Sequence, residues 1–295
     1  MLKLADYIPV DPLEGRSIRC YRYLGSHWMD SLATTELKAA DVDEFNDVFD
    51  GRGKTINELT DDAVIRHANT EIIHKIPGMT PELAAACLDN LGVDFLRTQF
   101  SSCVRNAVLN RDAMHESKVI CFSALEGTDY ESDALMWSHY AKNWSGVRLG
   151  FEFLYDLHKP INFATATTPF VIDYVRYGDR PVIDLSKLTQ IVGDAYFAAC
   201  FRMFMLSKSS AWKYEKEWRM VIQNSDAIVR YVDNKINYFC KFHRQLLKSV
   251  DIGPCMKPRQ QAELVLFLKS YYPHVIIRKV VLHDEDYGFD YLEVE

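Results

Sequence analysis

The sequence predicts an α+β protein built on a central mixed or antiparallel sheet with helices around it. Three observations predict it. Short apolar, strand-like runs recur from Ser17 to the last residues of the chain. Helical spacing is concentrated in 60–110 and in three later segments. The two kinds of segment do not alternate regularly, as repeated βαβ units would require. The chain shows no internal repeat, low-complexity tract or Pro/Gly/Ser-rich linker, which predicts a single domain over 1–295 with a helical insertion at about 54–116.

In order, Ser17 to Leu24 reads as a first strand. A polar segment follows, with Phe45-Asn46-Asp47-Val48-Phe49-Asp50 and the turn Gly51-Arg52-Gly53. In the 60–110 region Thr60 and Thr80 are good N-caps and Pro81 suits a first helical position. Gly92 ends one helix, and Phe95, Phe100, Val104 and Val108 mark the next. Lys118 to Ser123 is a strand, and Ser132 caps a helix covering Met136 to Asn143. Val147 to Phe153 and Pro169 to Tyr177 are strands, and Leu185 to Lys208 is a long, largely buried helix. Glu217 to Gln223, Leu247 to Ile252, His274 to Leu282 and Phe289 to Val294 read as strands, with a last helix from Lys257 to Tyr272.

The formal net charge of −7 argues against broad binding to nucleic acid or anionic membranes, while leaving room for a local basic patch. The seven cysteines are scattered, form no Cys-x-x-Cys pair and have apolar flanks, so they read as reduced, mostly buried thiols of a cytoplasmic protein. The start of the chain lacks a basic region followed by an apolar stretch, so no signal peptide is expected. Ala195 to Leu206 contains Arg202 and is too short to span a bilayer.

Two motifs concentrate the chemistry. The first runs Met136-Trp137-Ser138-His139-Tyr140-Ala141, then Gly146-Val147 and Gly150-Phe151. On a helix, Leu135, Met136, His139 and Tyr140 form one stripe, with Trp137, Ser138 and Ala141 to the sides. Alone, this is a core helix with a satisfied histidine. The two glycines downstream mark close approach of a ligand or another backbone, which turns the balance toward a pocket. The second motif is Trp212-Lys213-Tyr214-Glu215-Lys216-Glu217-Trp218-Arg219. If 214–222 is one strand, Glu215, Glu217 and Arg219 line one face and Trp218, Met220 and Ile222 the core face. The two carboxylates repel, which raises at least one pKa, and Arg219 offsets that. Such a row is either a solvated edge strand with a weak ion pair or a catalytic or ribose-binding glutamate. Arg22, between Tyr21 and Tyr23, reads from its segment as an exposed strand arginine, although a phosphate ligand fits too. Asn46-Asp47 is good turn chemistry. Gly53-Lys54-Thr55 resembles the end of a phosphate-binding loop, but the required earlier glycine falls at Val48. The nine histidines form no metal-binding pattern in sequence, so no metal is expected.

These segments resemble a widespread bacterial and phage family known as a domain of unknown function. The resemblance rests on Tyr21-Arg22-Tyr23, Phe45-Asn46-Asp47, Cys121-Phe122-Ser123 and the two motifs above, across roughly residues 17 to 224. Val48 stands where that family usually continues with proline. A second resemblance is to ADP-ribosyltransferases of the arginine-serine-glutamate class, through Arg22, then Phe122-Ser123, then Glu215-Lys216-Glu217. Ser123 is followed by Ala124-Leu125 rather than the usual Thr-Ser. This resemblance implies an ADP-ribosyltransferase-like core and NAD as substrate. It implies that Arg22 binds the pyrophosphate, Ser123 supports the nicotinamide-ribose subsite, and Tyr140 or Trp137 stacks on nicotinamide beside His139. Glu217 would bind the ribose and stabilise an oxocarbenium-like transition state, kept ionised by Arg219, and Glu215 would orient the acceptor. The acceptor would be a protein or nucleic acid, and the setting phage defence or a toxin–antitoxin system. Two rival readings are a metal-dependent nuclease using Glu215, Glu217 and Asp47, and a non-catalytic nucleotide-binding sensor.

Overall fold

A computed structural model describes residues 17–66, 69, 77–109, 114–124, 129–154, 171–188, 194–232 and 234–294. In chain order its elements begin with β1 (Ser17–Leu24), α1 (Trp28–Thr34), β2 (Glu36–Ala39), β3 (Lys54–Ile56), α2 (Pro81–Leu91) and α3 (Val93–Leu109). Then come β4 (Ser117–Ser123), α4 (Tyr130–Tyr140), β5 (Val147–Leu154), β6 (Val171–Tyr174), β7 (Arg176–Gly178), β8 (Val182–Asp184) and α5 (Asp194–Met205). The remainder is β9 (Ser207–Ser209), β10 (Glu217–Gln223), β11 (Ile228–Val232), β12 (Lys235–Lys241), β13 (Leu247–Ile252), α6 (Pro258–Tyr271), β14 (Ile276–Leu282) and β15 (Phe289–Glu293). No helix among the described residues is long and apolar enough to cross a membrane.

The chain divides into two compact units. One takes Asp47–Met114 and Gly178–Ser209, and the other takes the described parts of Val10–Asn46, His115–Tyr177 and Ser210–Glu295. The helical segment expected at about 54–116 lies almost wholly in the first unit, which also draws in Gly178–Ser209. There, residues 61–66 are helical, with Ala63 N–H donating to Thr60 Oγ1. Thr80 caps α2, Pro81 opens it, and Gly92 ends it at φ +77°. β3 and β8 pair in parallel, Lys54 against Val182.

The second unit is α+β around an eight-stranded mixed sheet in the order β15-β14-β13-β5-β1-β4-β10-β6. Its pairs are antiparallel except β13 with β14. A smaller sheet, β11-β12-β2, continues into Ala40, which bridges Val119 of β4. β1 and β4 register only at Tyr21 and Ser123. Past that pair β4 turns to Ala40 for its hydrogen bonds, so the large sheet forks at Arg22.

Strand alternation makes the two sheet faces chemically different. One carries Ile18, Cys20, Phe122, Leu149, Phe151, Met220 and Val250, buried against Leu264, Leu268 and Tyr272 at α6. The other carries Arg148, Ser123, Glu217, Arg219 and Asp251, which are nonetheless buried. A buried charge is tolerated only when paired and hydrogen-bonded. Arg148 meets that condition: Nε donates to Asp251 at 2.7 Å and Nη1 to Asp133 at 3.0 Å. Tyr23 and Tyr291 donate to Asp133, Arg278 donates to Asp251, and the Arg148 guanidinium lies 3.9 Å over the Tyr291 ring.

Several expectations are corrected. The helix expected over Met136–Asn143 is α4, which starts at Tyr130 under an Asp129 cap (Ser132 N–H to Asp129 Oδ1, 3.2 Å). Ser132 is therefore inside the helix. α4 stops at Tyr140 because Lys142, Asn143 and Trp144 adopt φ of 50°, 51° and 64°. Trp144 holds that left-handed turn by stacking on Trp137 and donating to Ser138 Oγ. The helix expected over Leu185–Lys208 is a short helical turn at Leu185–Lys187, then α5 and β9. Apolar periodicity alone could not place those breaks. Of the strand expected at Pro169–Tyr177, Pro169 and Phe170 lie outside the described residues, and β6 and β7 cover the rest. The cysteines are not mostly buried: Cys20, Cys200 and Cys240 are, while Cys87, Cys103 and Cys255 are exposed. The β11–β12 hairpin was not expected, although Ile228-Val229-Arg230-Tyr231-Val232 is strand-like and Asn234, at φ +59°, is a turn residue.

Candidate functional site

The second motif does not form one strand. Ser210–Glu215 is a 3₁₀ segment, and Lys216 follows it at φ +43°. That left-handed residue takes Glu215 out of the strand, so the row of three becomes Glu217 and Arg219 on β10 with Glu215 at its entrance. Lys216 is held there by an ion pair to Asp129 (2.8 Å), and its carbonyl accepts the Ala124 N–H. β10 lies between β4 and β6, so these residues do not form a solvated edge strand. Glu215, Glu217 and Arg219 are 4%, 4% and 1% exposed.

Arg219 grips Glu217 with two hydrogen bonds, Nε to Oε1 at 2.8 Å and Nη2 to Oε2 at 2.9 Å. Its guanidinium lies 4.7 Å over the Phe45 ring. This geometry favours the ionised glutamate. The Glu217 N–H donates to the Tyr177 hydroxyl at 2.7 Å, a partner the sequence did not suggest. Ser123 stands directly opposite Glu217 in register, and its hydroxyl donates to the Glu215 carbonyl at 2.6 Å. The Glu215 carboxylate accepts from the Tyr140 hydroxyl, which also accepts from Asn46.

From there the network reaches solvent. His139 is exposed and shares a 3.0 Å hydrogen bond with the Tyr214 hydroxyl. Trp212 lies beside Tyr214. His139, Tyr140, Tyr214 and Trp212 thus form an aromatic rim beside a buried acidic pair. A flat ring can stack on such a rim, and a developing positive charge is stabilised by a carboxylate held in a poorly solvated place.

Arg22 is at the fork of the sheet rather than on an exposed strand surface. Nη1 donates to the Cys121 carbonyl at 2.5 Å, and Nε is buried with no hydrogen-bond partner among the described residues. Burial, and then the charge of Glu217, push the Cys121 thiol up, which disfavours its thiolate. Trp137 is fully buried, edge-on to Tyr23 and hydrogen-bonded to Tyr291, so it is a core residue and not a stacking surface. Gly146 and Gly150 make room for protein: a side chain would meet the Leu24 carbonyl oxygen at 2.1 Å and Ser249 Oγ at 2.2 Å.

The nuclease reading drew on Asp47. That residue belongs to the other compact unit, where its carboxylate accepts the Phe49 N–H. The fold does gather Asp41, Asp43 and His115, with ligand atoms within 4.8 Å of one another. Sequence spacing hid this group, because His115 is distant in the chain. Lys118 places its ammonium 2.8 Å from Asp41, so one of the two carboxylates is already ion-paired.

Residues 136–220 match a family described as protein of unknown function (DUF2971). The matched segment contains both halves of the site, His139–Tyr140 and Glu215–Arg219. No curated protein matches the chain, and no solved structure does. The match covers less than a third of the chain, so the likeness is confined to that segment.

Proposed function

We propose that this protein consumes NAD by ADP-ribosyltransferase-type chemistry, on an ADP-ribosyltransferase-like core. One observation carries the reading. Arg22, Ser123 and Glu217 lie on three neighbouring strands, β1, β4 and β10, with Ser123 opposite Glu217 and Arg22 at the fork. Ser123 and Glu217, far apart in the chain, thus stand side by side on the polar sheet face, whereas Arg22 alternates onto the other face and is reached only at the fork.

In this reading the pyrophosphate meets Arg22 at the fork between β1 and β4, where its buried Nε has no hydrogen-bond partner among the described residues. Nicotinamide stacks at the rim, on Tyr140, His139 or Tyr214. The C–N glycosidic bond breaks, nicotinamide leaves with the bonding pair, and the ribose becomes oxocarbenium-like. Glu217, kept ionised by Arg219, stabilises that cation. Glu215, held by Tyr140, orients the attacking water, protein or nucleic-acid group. The substrate pool is the NAD of the cytoplasm.

The test is mass-spectrometric detection of nicotinamide from NAD and purified protein, with Glu217→Gln in parallel and circular dichroism on both. Release by the wild type, lost in a folded Glu217→Gln, is the expected result. A folded wild type that releases none, or equal release from both, overturns the reading.

A further inference from the structure

The sheet-bearing unit leaves one sequence feature unused, the Gly51-Arg52-Gly53-Lys54-Thr55 segment of the other unit. It forms the lip of a cavity of about 720 Å³, lined also by Arg105, Asn106, Leu109, Met114, Arg180 and Phe204. Four of the lining side chains are cationic (Arg52, Lys54, Arg105 and Arg180) and none is acidic. The chain as a whole carries a net charge of −7, so this clustering runs against its composition. Like charges brought together raise one another's energy unless an anion joins them.

The lip is built, not loose. Gly51 sits at φ +66°, where a side chain is disfavoured. A side chain at Gly53 would come within 1.8 Å of the Phe204 ring. Arg180 fastens the segment by donating to the carbonyls of Arg52 (2.9 Å) and Gly53 (3.0 Å). Lys54 then opens β3, its N–H donating to Pro181. Across the cavity Arg105 donates Nη2 to the Asn57 carbonyl, while its Nε is buried with no hydrogen-bond partner among the described residues. Lys54, Arg105 and Arg180 make no ion pair among the described residues. The buried Phe204 and Met114 supply an apolar floor.

We propose that this cavity binds a small molecule bearing a di- or triphosphate group. Its volume is that of a nucleotide-sized site rather than of a groove for a polymer. The segment fails as a phosphate-binding loop in sequence because Val48 replaces a glycine, and in structure because a strand, not a helix, follows Lys54. Recognition here passes instead through side-chain cations, with Thr55 and Asn106 as neutral partners. The floor accommodates an apolar ring attached to the phosphates. The site is separate from Glu217 and does not depend on NAD chemistry.

Isothermal titration of the full chain with inorganic triphosphate and with ATP, near physiological salt, tests it. Saturable one-to-one binding is expected, weakened at least about tenfold in Lys54→Ala and in Arg105→Ala. Glu217→Gln should bind like the wild type, and Lys54→Ala should retain any nicotinamide release. Tighter binding of ATP than of triphosphate would assign the floor to a base, whereas equal binding would assign the site to the phosphates alone. No saturable binding of either probe, binding unchanged in a folded Lys54→Ala, or binding only of a single-stranded oligonucleotide overturns the proposal.

Discussion

Two buried charge networks lie on the same face of the large sheet, and they are built to opposite ends. Around Arg148, the carboxylates of Asp133 and Asp251 are met by Arg148, Arg278, Tyr23 and Tyr291, and aromatic rings close over the guanidinium. Burial pushes the Tyr23 hydroxyl up, so it stays a neutral donor. Around Glu217 the same chemistry reaches the surface: Arg219 holds one glutamate and Tyr140 the other, Tyr140 also bonds Asn46, and the neighbouring Tyr214 bonds the exposed His139. A network closed on all sides contributes one defined packing. The second network instead links a buried carboxylate to the exposed His139.

The comparison can be broken at its strongest point first. Arg148→Ala leaves Asp133 and Asp251 buried and short of a cation. It should lower unfolding free energy by about 3–5 kcal/mol, read from urea denaturation. A loss below about 1 kcal/mol would show that the cluster is not closed as described. Glu217→Gln keeps one acceptor for Arg219 and so should stay folded, while nicotinamide release falls about 10²–10³-fold. A variant that unfolds would make the second network structural like the first. Tyr140→Phe removes the donor to Glu215 and should destabilise by about 1–3 kcal/mol. In the proposed enzyme it should also slow turnover more than Asn46→Ala, which touches only the exposed side of the hydroxyl. Equal effects from the two variants would mean that Tyr140 does not act through Glu215.

The smallest effect is a pH dependence at the join between α4 and the second motif. The hydrogen bond from Lys216 is the main influence holding the Asp129 carboxyl below the usual carboxylate range, and burial opposes it. A depressed carboxylate contributes stability that is fully present above its unfolded value of about 3.9 and is lost as pH falls through the folded value. Wild type and Asp129→Asn should therefore differ most above about pH 5, and the difference should shrink as pH falls below about 4 toward the folded value. Urea midpoints measured from pH 7 to 3 read this directly, and a difference that widens at low pH would remove Asp129 from the role.

The strands around the site were legible because alternation is local. Phe122 beside Ser123, and Met220 beside Arg219, announce one apolar and one polar face. The polar face read either as a solvated edge or as a row holding a functional glutamate, because nothing nearby in the chain shows what covers it. Its cover comes from α4 and from Tyr291, which is 158 residues from Asp133, to which it donates. Glu215 was misplaced for a different reason. The left-handed backbone at Lys216 is not a preference of lysine, but a conformation imposed by Asp129 and Ala124. Trp137 looked like a pocket aromatic, and its stacking on Trp144 shows that it pins a left-handed turn.

By itself, the sequence determined the kinds of element, most of their limits, the caps at Thr80 and Gly92, and the separation of Glu217 and Arg219 onto one strand face. These follow from interactions within about four residues, which periodicity and capping report. Only the tertiary structure decided that Ser123 faces Glu217, that the sheet forks at Arg22, and that four cations surround one cavity. Those facts depend on strand order and register. Both are set by which distant surfaces can be buried together with their charges paired, and no local pattern carries that information.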